Sequence, residues 1–215
     1  MDKHQPASAI RLPPRADAAG SNCGFVRTIA AIAARMRELL GEGATAHGLH
    51  ADRDRVVALL NAALASEIVC VLRYRRHYFA TGGTLAGAVK KEFLRHSQEE
   101  QAHADRLAER IIQLGGTPDF NPDGLIERTL AQSTDAADFV QALDDDLVAE
   151  QIAIDAYREL IRFVEDRDYT TRRLLESILS AEEQHAEVLA GLLAAMRRVA
   201  GSTASRPADS GSVHM

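Results

Sequence analysis

Residues 89–107 read VKKEFLRHSQEEQAHADRL, and residues 175–196 read LESILSAEEQHAEVLAGLLAAM. Each stretch sets apolar side chains at steps of three and four and breaks the series near its middle with Glu-x-x-His. The first series runs Val89, Phe93, His96, Glu100, His103, Leu107, Ile111, and the second Leu175, Ile178, Glu182, His185, Leu189, Leu192, Met196. Such spacing is that of a helix with one face turned to a core. Glu and His three residues apart share that face. Two core helices therefore each point a carboxylate and an imidazole inward, which helices do only for a purpose other than packing.

Working outward, two more stretches repeat the pattern without the histidine. One runs Leu60, Leu64, Glu67, Val71, Tyr74, Tyr78; the other runs Val140, Leu143, Leu147, Glu150, Ile154, Tyr157, Ile161. The pattern predicts helices over residues 52–80, 84–114, 136–165 and 169–199, broken at Gly82-Gly83 and Gly115-Gly116, with almost no strand-like alternation. The first and last links are short and make antiparallel neighbours. The middle link, residues 115–135, holds Pro118 and Pro122. A 30-residue helix is about 45 Å long and 20 extended residues reach about 65 Å, so this link can cross the bundle's full length. The expected fold is all-α, a four-helix bundle with one long crossover. An additional short amphipathic helix is expected over residues 25–40, ended by Gly41 and Gly43. The organisation expected is a flexible arm (1–24), a short helix and linker (25–50), the bundle (51–199) and a disordered Gly/Ser tail (200–215).

Four carboxylates converging in a core repel one another and are costly to desolvate, so something cationic must lie between them. Glu67, Glu100, Glu150 and Glu182 with His103 and His185 match the donor set of a di-iron or di-manganese carboxylate site, one Glu from each of two helices and one Glu-x-x-His from each of the others. Oxygen-rich donors with imidazole favour iron or manganese over zinc. Paired metals in such sites lie about 3.5–4 Å apart. The halves repeat: Glu67 precedes Glu100 by 33 residues and Glu150 precedes Glu182 by 32. A helical hairpin used twice about a pseudo-twofold axis would give each metal one Glu-x-x-His and a share of the two other glutamates. Tyr74 and Tyr157 each follow a glutamate by seven residues. They read as core tyrosines whose hydroxyls, two turns from a ligand, are placed to support it. His96 reads as a core or cavity histidine, with an accessory iron site as the alternative. Glu99 and Glu183 point about 100° away from the ligands, toward solvent or a cavity. Cys70 reads as a small core residue.

Composition narrows the function classes. The 215 residues are 46% hydrophobic, enough for one good core, with a formal net charge of -6. That balance argues against a dedicated nucleic-acid binder. Cys23 and Cys70 form no Cys-x-x-Cys pair, which excludes a disulfide framework or zinc ribbon and suits a reducing cytoplasm. No stretch is expected to approach the roughly 18 apolar residues of a membrane span. The first residues lack the apolar run and small-residue cleavage site expected of a secretory signal, although their Arg-rich, acid-poor character is faintly that of an organellar transit peptide.

Taken with their neighbours, these residues resemble the ferritin-like superfamily, within it bacterioferritin and the Dps-like proteins whose di-metal site lies inside one subunit. The resemblance covers roughly residues 52–196. It rests on Ser66-Glu67 with Tyr74, on Glu99-Glu100-Gln101-Ala102-His103-Ala104-Asp105, on Leu147-Val148-Ala149-Glu150 and on Glu182-Glu183-Gln184-His185. It implies a ferroxidase that oxidises Fe(II) with O2 or peroxide, in a hollow homo-oligomer that stores the ferric mineral. Two departures stand out. Bacterioferritin ligates haem with a Met directly after the Glu of its first Glu-x-x-His, where this chain has Gln101, so no Met-ligated haem is expected. Its short fifth helix corresponds here to the Gly/Ser tail, which favours a Dps-like dodecamer over a 24-subunit shell. Two other functions compete with iron oxidation and storage. One is a di-iron or di-manganese peroxidase- or catalase-like enzyme without storage. The other is DNA shielding through the arm, where residues 1–35 hold Lys3, Arg11, Arg15, Arg27 and Arg35 against Asp2 and Asp17.

Overall fold

A computed structural model describes residues 24–41, 49–82, 86–123, 139–165 and 167–204 of the chain. Five helices fill most of them: α1 (Gly24–Gly41), α2 (Leu49–Ala80), α3 (Ala86–Gln113), α4 (Phe139–Val164) and α5 (Tyr169–Ala204). Among the described residues there is no strand. The all-α reading therefore holds, and the helix limits fall within a few residues of those the periodicity predicts. The exception is the end of α5, which runs on through Gly201 to Ala204, into the segment read as tail. A single helical glycine costs only about 1 kcal/mol, and an established helix propagates past it easily. The arm (1–23), with Lys3, Arg11 and Arg15 of the basic residues assigned to DNA, most of the crossover (124–138) and residues 205–215 lie outside the described residues, whereas Arg27 and Arg35 lie on α1.

Helices α2 and α3 form one hairpin and α4 and α5 the other; α3 then packs on α5 and α2 on α4 to close the bundle. The core divides into two apolar clusters. One gathers Leu60, Leu64, Leu107, Ile111, Leu160 and Leu175; the other gathers Tyr74, Val89, Phe93, Leu143, Leu189 and Leu193. Helix α1 lies against both α2 and α4. It buries Ile29, Ile32, Ala33 and Met36 in the first cluster, so its apolar face is covered by its own bundle and is not left for a neighbouring subunit. Arg55 on α2 donates to the carbonyls of Leu39 and Leu40, the latter at 2.6 Å, which closes the C-terminus of α1.

Covering by α1, α3 and α4 explains a further difference. Residues 53–80 of α2 are long and apolar enough to cross a membrane by length and composition, contrary to the expectation that no stretch approaches that length. The helix is apolar on several sides because three helices pack on it, and it carries Glu67, Arg73 and His77 buried inside the protein.

The ends of the hairpins are set by local chemistry. Gly115 adopts φ 77°, the left-handed conformation that closes α3, and its N–H bonds the Ile112 carbonyl at 2.8 Å. A Cβ on Gly116 would lie 2.5 Å from the Val57 side chain, so the chain leaves α3 pressed against α2. At the start of α5, Asp168 accepts from the Thr171 N–H at 3.0 Å and from Arg110 of α3 at 2.9 and 2.8 Å. One carboxylate thus caps a helix and ties the two Glu-x-x-His helices together. Replacing Asp168 with Ala is expected to destabilise the fold by about 1–2 kcal/mol. Thermal unfolding checks this, a midpoint equal to wild type being the contrary result.

Candidate metal centre

Between the two apolar clusters all six predicted residues converge: Glu67, Glu100, His103, Glu150, Glu182 and His185 are each at most 5% exposed. Their donor atoms form two groups of four, each within 4.8 Å of one another: Glu67, Glu100, His103 and Glu182 in one, Glu100, Glu150, Glu182 and His185 in the other. His103 Nδ1 lies 2.9 Å from Glu182 Oε1, 3.3 Å from Glu67 Oε2 and 3.4 Å from Glu100 Oε2. His185 Nδ1 lies 3.2 Å from Glu100 Oε1 and 3.5 Å from Glu182 Oε2. Each glutamate of a Glu-x-x-His therefore offers one oxygen to either side. This reverses the expected sharing: Glu100 and Glu182 span both positions, whereas Glu67 and Glu150 each belong to one. The reason is packing. Helices α3 and α5 face each other, so glutamates at the middle of their inward stripes meet between the two positions.

The tyrosines also act across the hairpins. Tyr74 on α2 donates its hydroxyl to Glu150 Oε1 on α4, and Tyr157 on α4 donates to Glu67 Oε1 on α2. Each outer glutamate thus has one oxygen held by a tyrosine, while its Oε2 is buried with no hydrogen-bond partner. Both oxygens of Glu100, Glu182 Oε1 and the Nδ1 atoms of His103 and His185 are likewise buried without a well-formed hydrogen bond, and meet one another at the ion-pair distances above. Buried polar atoms without hydrogen bonds of good geometry are rare. Here they all aim at the same two points, and an oxygen-rich donor set with one imidazole per point fits a pair of divalent cations of iron or manganese type.

Three features escaped the sequence reading. Glu99, expected to face away, accepts from His185 Nε2 at 2.7 Å and also binds Arg95. It thereby fixes the ring so that Nδ1 faces the site. Glu183 does face away, paired with Arg158 at the surface. Arg73, fully buried, contacts Asp146 Oδ1 at 2.7 Å and donates to Glu150 Oε1 at 3.3 Å. Asp146 in turn meets His77 Nδ1 at 2.9 Å. The available signal was spacing, since Arg73 and His77 are one turn apart on α2 and Asp146 lies one turn before Glu150. Cys70 is a buried free thiol, as expected; Cys23 lies outside the described residues.

Burial, reinforced by the charge of Glu100, pushes the Glu67 carboxyl up to about 8. Burial likewise raises Glu150 well above the carboxylate range. Glu100 and Glu182 are lowered in spite of burial, because both histidines contact them. Burial also opposes a charged ring in His103 and His185, yet the surrounding carboxylates outweigh it and push them up to about 12 and about 11. Without metal, two imidazolium rings face Glu100 and Glu182, and burial favours the neutral form of the outer carboxyls, Glu67 up to about 8 and Glu150 in the same direction. Divalent cations need neutral imidazoles and ionised carboxylates, so their capture releases protons. The sign for stability follows. Glu67 holds its proton in the folded state from the ordinary 4.5 up to about 8, and the histidines hold theirs from 6.5 to 11 and beyond. Each contributes stability at low pH that is lost as pH rises through the folded value. The thermal midpoint of the metal-free protein is expected to fall steadily from pH 6 to pH 9, followed by circular dichroism, and a midpoint that rises over that range contradicts this charge assignment.

Comparison with known proteins bears on the same region. A family model described as Ferritin-like domain matches residues 57–199, which contain all six residues. The chain is 36% identical over 138 residues to a protein of Synechococcus sp. named nutrient stress-induced DNA-binding protein, covering 63% of this chain and 78% of that one. It is 29% identical over 136 residues to the bacterioferritin of Rhodobacter capsulatus, covering 63% and 80%. Among solved structures, a dodecameric thioferritin from Bacteroides fragilis superposes with TM-score 0.65 at 32% identity, covering 70% of this chain and 90% of that one. The R. capsulatus bacterioferritin, described with a metal-free dinuclear site and a haem iron, superposes with TM-score 0.60 at 26% identity, covering 74% and 98%.

Proposed function

Because the chain belongs to the ferritin-like domain family, we propose that it is a ferroxidase: it captures two Fe(II) ions at Glu67, Glu100, His103, Glu150, Glu182 and His185 and oxidises them for storage. The observation that carries this reading is the pair of four-donor groups sharing Glu100 and Glu182. Two Fe(II) surrender one electron each. Peroxide takes the pair with two protons and leaves as two waters, or O2 takes it with two protons and leaves as hydrogen peroxide. Consuming Fe(II) and oxidant together limits radical damage, and the ferric product passes to the interior of a hollow homo-oligomer in the cytoplasm. Manganese is the other metal the donor set admits.

The protein's part is to hold the pair. Glu100 and Glu182 keep the two ions together, Tyr74 and Tyr157 orient the outer glutamates, and the apolar clusters above and below keep bulk water out. Gln101 is exposed and its amide bonds Asp105 at 2.9 Å, so the reading includes no Met-ligated haem at that position.

Changing Glu100 or Glu182 to Ala is expected to abolish rapid Fe(II) oxidation, because each change removes a donor from both positions. Aerobic addition of Fe(II) in stepwise ratios, followed by absorbance, measures this together with soluble iron retained. Wild-type rates in both variants would sink the site. A wild-type capacity that stops near two irons per chain moves the reading to a small-molecule di-metal oxidoreductase.

A dodecamer is supported by the B. fragilis thioferritin's description as dodecameric. Exposed apolar side chains such as Leu72, Phe79 and Ile112 supply surface that assembly would cover. Light scattering decides, since twelve chains of 23.4 kDa make about 280 kDa and twenty-four about 560 kDa. A stable dimer is the result that removes the shell.

A further inference from the structure

The pseudo-twofold that relates the two hairpins is broken beside one of the two metal positions. Glu100 corresponds to Glu182 and His103 to His185, an offset of 82 residues. The same offset pairs His96 with Ile178 and Glu99 with Ala181. One position therefore has a buried histidine and a carboxylate beside it where the other has Ile and Ala. His96 is 0% exposed, and its Nδ1 has no hydrogen-bond partner. Its ring stacks on His185, with centroids 4.1 Å apart at 18°, and the edge of Tyr74 holds it at 5.0 Å. His96, Glu150 and His185 offer donor atoms within 4.8 Å of one another.

We propose that His96 is an additional nitrogen ligand at the position formed by Glu100, Glu150, Glu182 and His185, and that it makes the two metal positions unequal. The proposal rests on the two-metal reading above and extends it to a residue outside the six. That position then has two imidazoles where its twin, with Ile178 in the equivalent place, has one. Imidazole nitrogen binds later first-row divalent cations more strongly than water or carboxylate alone, so the His96 position fills first. In the metal-free protein Arg95 Nη2 lies 2.8 Å from His96 Nε2 and can only donate, which leaves the single proton of the neutral ring on Nδ1. Cation capture at Nδ1 places that proton on Nε2, where Glu92 Oε2, 3.9 Å away, is the acceptor at hand. Arg95, a partly exposed side chain already bonded to Glu92 and Glu99, gives up only its contact with the ring.

The test is anaerobic titration of the metal-free full chain with Co(II), followed by calorimetry and by the visible absorption of bound Co(II). Wild type is expected to fill in two resolved steps, each of one ion per chain. In His96→Leu the first step is expected to weaken on the order of 10- to 100-fold, the size of effect seen when a ligand's support is lost, and to merge with an unchanged second step. Two unchanged steps in a folded variant overturn the proposal, and so does equal weakening of both, which is the mark of a general structural effect. If His96→Leu does not fold, as judged by circular dichroism without metal, His96→Gln is read by the same criteria. Two equal steps in wild type overturn this proposal alone, whereas absence of any paired binding overturns the two-metal reading beneath it.

Discussion

Four carboxylates are confined among apolar side chains, with Glu67, Glu100, Glu150 and Glu182 each no more than 2% exposed. A desolvated carboxylate is expensive and four together repel, so the helices around them can pack only if positive charge is supplied at the same place. Without metal that charge comes from protons on His103 and His185, while burial favours the neutral form of Glu67 and Glu150. Cations do the same from fixed points. Protons and cations compete for the same donor atoms, so metal capture and proton release are one event.

The rest of the bundle can be understood as support for that layer. The two apolar clusters sit on either side of it and fix the register of the four helices, so the glutamates meet at one level. The tyrosines cross between hairpins, which makes each outer carboxylate depend on the other half of the molecule. Arg110 and Asp168 join α3 to α5 near the ends of the helices whose glutamates span the site. Arg73 adds a fixed positive charge beside Glu150 and contacts Asp146, the partner of His77. The symmetric positions, Ala156 for Arg73 and Leu160 for His77, are apolar. One half of the centre is thereby more polar than the other, the same asymmetry that places His96 next to His185.

Much of this was legible because helical periodicity and metal chemistry constrain residue types strongly. The stripes through Glu67, Glu100, Glu150 and Glu182 located the bundle and all six converging residues, and the short and long links indicated the hairpin order. What escaped has a common physical origin: it depends on contacts between helices, which a pattern within one helix does not encode. The sharing of Glu100 and Glu182, the crossing of Tyr74 to Glu150 and the role of Glu99 toward His185 are all of this kind. Arg73 and His77 were missed for a related reason. Three helices pack on α2, so its buried face is wider than a single stripe, and Val71, chosen for the stripe, is only half-buried. The continuation of α5 through Gly201 shows the converse: composition suggests a tail, but a long helix already nucleated carries its end along.

The most direct measurement is an anomalous difference map at the iron edge from crystals of the protein loaded with Fe(II) without oxygen. Two peaks per chain are predicted, one bounded by Glu67 and His103 and the other by Glu150 and His185, with Glu100 and Glu182 reaching both. A single peak, or iron bound only at surface carboxylates with none among the six residues, would contradict the two-metal site.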